Sequence, residues 1–111
     1  MEMRKNRYHE LLRDEHITQF NREIKALNEP VDLENCNLRG VDLRKAELKN
    51  ANLKNSYFKM ADIRGVDLSE AQLNGASFNK TRVGGVLFPK NVTSAEIKLS
   101  IEYGTRIRVK D

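Results

Sequence analysis

Few residues in this chain have a type and spacing that could do chemistry. His9 and His16 stand seven apart in a charged N-terminal stretch, outside the three-to-four spacing that lets two ligands share one helix face. They read as solvated surface side chains. Cys36 is the only cysteine, which excludes an internal disulfide and a cysteine-based zinc site. It occupies a position filled elsewhere by Ala or Ser, so it reads as a packed, inert thiol. No Ser or Thr is set beside a base in a known motif, and Gly84-Gly85 lacks the Lys-Ser/Thr of a phosphate loop. Asp32, Asp42, Glu47, Asp62 and Asp67 recur at multiples of five, as a regular outward series rather than a paired acid and base. The expectation is therefore no catalytic residue, no metal, no cofactor and no enzyme.

The elements that hold these side chains follow from composition and period. The chain has 111 residues, 39% hydrophobic and 32% charged, with no Trp and a formal net charge of +4. That is short of ordinary core material for a globular domain. No apolar run approaches the ~20 residues that span a bilayer, and the N-terminal stretch lacks the apolar region of a secretory signal. With a lone cysteine as well, the reading is a cytoplasmic protein without membrane contact.

From Val31 to Lys90 the chain runs in twelve uninterrupted blocks of five, beginning VDLEN CNLRG VDLRK AELKN ANLKN. The third position is Leu33, Leu38, Leu43, Leu48, Leu53, Phe58, Ile63, Leu68, Leu73, Phe78, Val83 and Phe88; the first is small, and only Ser56 and Thr81 among these 24 positions are polar. A period of five matches neither a helix nor a continuous strand. A chain that turns a corner every five residues keeps both positions inside. Four sides make a coil of 20 residues, and three coils stacked at the inter-strand spacing stand roughly 14 Å tall.

This pattern resembles the pentapeptide-repeat family, whose motif is close to A-(D/N)-L-x-x. Phe20-Asn21 shortly upstream resembles a leader often seen in such proteins. The resemblance implies an all-β solenoid, a right-handed four-sided β-helix of three coils, with an N-terminal helix and a short C-terminal helix. On this reading the organisation is a helical cap over 1–30, the repeat over 31–90, and a cap helix and tail over 91–111. The family's best-known activity, protection of DNA gyrase by DNA mimicry, needs a long and strongly negative surface. The positive repeat and its short height disfavour that activity here.

Both ends of such a stack need covering. Apolar residues spaced by three and four predict a helix over 4–28, with a break near His16-Ile17-Thr18. Thr93 and Glu96 form a capping box, and Gly104 suits a helix end. These predict a helix over 94–103, although Ile97, Leu99, Ile101 and Tyr103 also alternate as a strand does. The tail Thr105–Lys110 reads as an edge strand, a binding arm or a disordered end.

Folding the repeat into four sides isolates one surface. The second side carries Arg39, Lys59 and Lys80 with no acid, beside outward Tyr57 and Met60. The third side adds Arg44 and Arg64 against Asp42 and Asp62. Tyr and Met among basic residues suit a protein interface. The leading expectation is a non-catalytic scaffold or interaction module taking a protein partner. The alternative is a nucleic-acid-associated regulator that uses the basic sides. Ile97, Leu99, Ile101 and Tyr103 also present more apolar surface than one side can hide, which predicts a homodimer through the C-terminal cap, residues 92–109.

Overall fold

The structure, a computed structural model, describes residues 6–110; residues 4 and 5 of the expected first helix, and Asp111 of the tail, lie outside the described residues. Three helices form: α1 (Arg7–Arg13), α2 (Ile17–Ile24) and α3 (Ser94–Tyr103). Between α2 and α3 the chain passes over itself every 20 residues. Parallel one-residue bridges join Asp32 to Asn52 and Asn52 to Gln72, Asn37 to Tyr57 and Tyr57 to Ser77, Asp42 to Asp62 and Asp62 to Arg82, and Asp67 to Leu87.

The expected all-β class is corrected by these bridges. Among the described residues no strand forms, and the regular elements are helices of 7, 8 and 10 residues. The reason lies in the block length. Of five residues, two are spent on a turn, and of the remaining three only the middle one exchanges both backbone bonds with its neighbour. Asn52 N donates to Val31 O at 2.9 Å and Asn52 O accepts from Leu33 N at 2.8 Å, after which the chain turns away. A ladder of consecutive pairs never develops, so stacking here is carried by isolated bridges. The N-terminal helical stretch breaks near His16, as its sequence suggests, and ends at Ile24 rather than at residue 28. His16 N bonds Leu11 O, Glu15 N bonds Leu12 O, and Glu15 sits at φ 60. That double closure is a Schellman end, built without a glycine, and it splits the stretch into α1 and α2.

The outward Asp and Asn of the second block position have a structural task. Asp32, Asn37, Asp42, Asn52, Asp62 and Asp67 each accept, through Oδ1, the backbone N–H two residues on, at 2.9 to 3.2 Å. This pins each turn by a short side-chain-to-backbone bond. Inside, Leu33, Leu53 and Leu73 occupy successive coils and are all essentially inaccessible. Phe58 stacks on Phe78 with centroids 4.8 Å apart, and Phe78 meets Phe88 edge-on at 6.0 Å. The two polar inward residues are satisfied: Ser56 donates to Leu33 O, and Thr81 to Phe58 O at 2.7 Å.

Side chains close the lower end. Asn6 Nδ2 donates to Asp32 O at 2.9 Å, and the Asn21 amide bonds Lys45 O and Glu47 N, both at 2.9 Å. Asn21 thus stands where the peptide unit of a preceding coil would stand. Arg7 grips Glu23 through two bonds of 2.6 Å and ties α1 to α2. At the upper end residues 94–103 are helical, with Thr93 accepting from Glu96 N and Gly104 left-handed at φ 73. The tail packs on the last coil: Arg106 bridges Ser77 in antiparallel sense, and Ile107 is buried. No helix among the described residues is long and apolar enough to cross a membrane.

Candidate interaction face

Three stacked turns close the second side. Its corner residues Gly40, Met60 and Lys80 have φ of 70, 61 and 53, the positive value that a type II turn requires at its third residue. A glycine meets this without strain. Met60 and Lys80 do not, since a left-handed residue with a Cβ costs roughly 1–2 kcal/mol. Met60 nevertheless stands 58% exposed at the middle of the side. Tyr57 is half-buried between Asn37 and Ser77, Lys59 is half-buried beside it, and Arg39 and Lys80 are exposed.

The caps lengthen this surface at both ends. Arg13, in the last turn of α1, donates to Arg39 O, and the ring of His9 donates from Nε2 to Asn37 O at 2.7 Å. His9 is therefore a latch only 6% exposed, its Nδ1 without a partner, and not the solvated side chain expected. His16 is exposed. At the top, the column Asn37, Tyr57, Ser77 continues into Arg106, whose Nη1 donates to Gly75 O at 2.9 Å. Arg13 and Arg106 were missed because nothing in the five-residue period says where either end of the chain docks.

Charge pairing separates this side from its neighbours. No carboxylate among the described residues forms an ion pair with Arg13, Arg39, Lys59, Lys80 or Arg106. On the third side Arg44 grips Asp42 at 3.0 and 2.8 Å and lies 3.6 Å from Asp62, while Arg64 grips Asp62 at 2.9 and 2.7 Å. The Arg64 fork holds the Asp62 carboxyl down to about 2, and the Arg44 fork likewise lowers Asp42. Lys54 pairs with Glu34 on the first side and Lys49 with Glu70 on the fourth. The structure thus brings Arg39, Tyr57, Lys59, Met60 and Lys80 together. It sets Arg44 and Arg64 around the corner, already neutralised.

Of the expected dimer residues, Ile97 is buried and Ile101 half-buried within the chain's own upper end, whereas Leu99 and Tyr103 are exposed. Cys36 is buried, with its backbone N–H on Ser56 Oγ. No cluster of His, Cys, Asp or Glu able to hold a metal occurs among the described residues. A further cleft lies between the start of α2 and the third side, and its Asp42 and Arg44 neutralise each other.

A family model for pentapeptide repeats, in eight copies, matches residues 32–69 and 53–88. Comparison with curated proteins and with solved structures returned no match. Together the matched segments span residues 32–88, just over half of the sequence, and the chain belongs to the pentapeptide-repeat family.

Proposed function

We propose that this repeat-protein scaffold is a non-catalytic, cytoplasmic interaction module that docks a protein partner on its second side. One observation carries the reading: among the described residues Arg39, Lys59 and Lys80 have no carboxylate partner, whereas Arg44 and Arg64 on the third side, Lys54 on the first and Lys49 on the fourth each have one. An outward cation without an internal partner keeps its charge available for another molecule. Exposed Met60 beside half-buried Tyr57 adds apolar contact at the centre of the patch. The test is capture of partners by the full chain and by the triple variant Arg39→Ser, Tyr57→Ser, Lys59→Ser. The variant should fold and lose the partner; retention of the partner moves the docking surface elsewhere.

A nucleic-acid strand is the second reading, supported by the Tyr57 ring among unpaired cations. It predicts a steep loss of affinity with added salt. Pairing of two chains through residues 92–109 belongs to the same proposal, now resting on the exposed Leu99 and Tyr103. Sedimentation of the full chain against the variant Leu99→Glu, Tyr103→Ser tests it. A full chain that sediments as a monomer at high micromolar concentration rules the dimer out.

A further inference from the structure

We infer that the partner segment is acidic, extended, and centred on an apolar residue, and that it lies along the stacking axis from Arg13 to Arg106. The inference rests on the docking reading above and names its ligand. The strip comprises five cations in successive layers: Arg13 from the lower cap, Arg39, Lys59 and Lys80 from the three coils, and Arg106 from the tail. The layers are joined in order by the Arg13-to-Arg39 bond, the bridges along Asn37, Tyr57 and Ser77, and the Ser77–Arg106 bridge. Arg13 and Arg106 spend one donor each on a backbone carbonyl. A carbonyl carries no net charge, so both guanidinium groups keep theirs, with further N–H donors for a carboxylate.

At the inter-strand spacing these layers span roughly 19 Å, the reach of an extended segment of about six residues. Met60 selects between anionic partners. It is 58% exposed in the middle of the strip, on a backbone that a glycine would occupy with less strain. A polarizable thioether suits a buried apolar side chain on the partner.

Fluorescence anisotropy of the full chain with labelled peptides of about eight residues tests this. One peptide carries glutamates around a central leucine pair, a second has glutamine for each glutamate, and a third has serine for the leucines. An oligothymidylate of equal length is the fourth probe. The acidic leucine peptide should bind best. Arg39→Ser with Lys59→Ser should weaken it about tenfold, while Arg106→Gln and Arg13→Gln, which remove the charge and keep a polar side chain, should each cost about threefold. Arg64→Ser, from the paired third side, should change nothing. Met60→Ser should weaken the leucine peptide and leave the serine peptide unaffected. Thermal melts of every variant separate lost binding from lost folding.

Tighter binding of the oligothymidylate overturns the proposal in favour of nucleic acid. Equal binding of the glutamine peptide, still sensitive to Met60→Ser, overturns the acidic assignment and leaves the docking surface standing. Equal losses in Arg64→Ser and Arg39→Ser overturn the strip. Failure of the acidic peptide to bind, with capture still lost in the triple variant, overturns this inference alone.

Discussion

The second and third sides share one backbone plan and treat charge in opposite ways. Both have three layers, two inward residues per layer, and the same Asp/Asn-pinned turns in their lower layers. On the third side a carboxylate two residues before each of Arg44 and Arg64 folds the guanidinium back onto its own block. On the second side the corresponding positions are Asn37, Tyr57 and Ser77, none of them anionic. The fold accepts either choice at these outward positions. What differs is the field presented to solvent, so a side of this scaffold can be rewritten without touching the core.

The most damaging test breaks the scaffold that both sides share. One residue inserted after Asn55 turns every later inward side chain outward, and calorimetry should find no cooperative transition. Leu53→Ala, a fully buried position in the middle coil, should cost about 2–5 kcal/mol by urea denaturation. A wild-type midpoint in either variant contradicts the stacked register.

The corners come next. Gly75 stands at φ +81 where the first side meets the second, and a Cβ there would lie 1.9 Å from Asn55 Oδ1. Gly40, at φ +70 where the second side meets the third, has open space around it. Gly40→Ala should therefore lose only the left-handed strain, about 1–2 kcal/mol, and Gly75→Ala visibly more, because the Asn55 amide must also move. Equal losses, read from paired thermal melts, would show that Asn55 yields freely.

Asp62→Asn makes the third side more like the second. It should release Arg64, raise binding of an acidic peptide there, and lower the melting temperature only slightly at neutral pH. The sign with pH follows from a carboxyl lowered from 3.8 to about 2. Its stabilisation is complete above pH 3.8 and is lost as the pH falls towards 2. Wild type should thus lose its advantage over Asp62→Asn across that window; an unchanged gap at pH 2 contradicts the pairing. The smallest effect is expected from Met60→Gly, where relief of left-handed strain opposes the entropy of a new glycine, for a net change under about 1 kcal/mol. A loss well above that in chemical denaturation would reveal a packing role for Met60.

Much of this was legible because the repeat is local. Inward Leu53 and outward Lys59 follow from a period of five, whichever way the ends fold. The strand class was misjudged because backbone pairing depends on how many consecutive residues stay extended, and here one bridging residue per block does. The break between α1 and α2 was expected near His16-Ile17-Thr18 and falls at 14–16, where Glu15 takes a conformation usually left to glycine. His9 looked solvated on a charged stretch, and only docking of α1 on the first coil places its ring on Asn37 O. Arg13 and Arg106 joined the second side by the same long-range docking, to which periodicity is blind.

The polar contacts of the two caps have a bearing on length. Those from below reach Asp32, Asn37, Arg39, Lys45 and Glu47, all in the first coil, and those from above reach Gly75 to Lys80, in the last. Among the described residues none spans the middle coil. The end fittings are therefore indifferent to how many coils lie between them, and the molecule behaves as a ruler whose graduation is twenty residues. Duplicating residues 51–70 would lengthen the cationic strip by one Lys59 and one Met60 while both caps kept their seats. Register with a partner could then be changed in whole steps of roughly 4.8 Å, with nothing at either end redesigned.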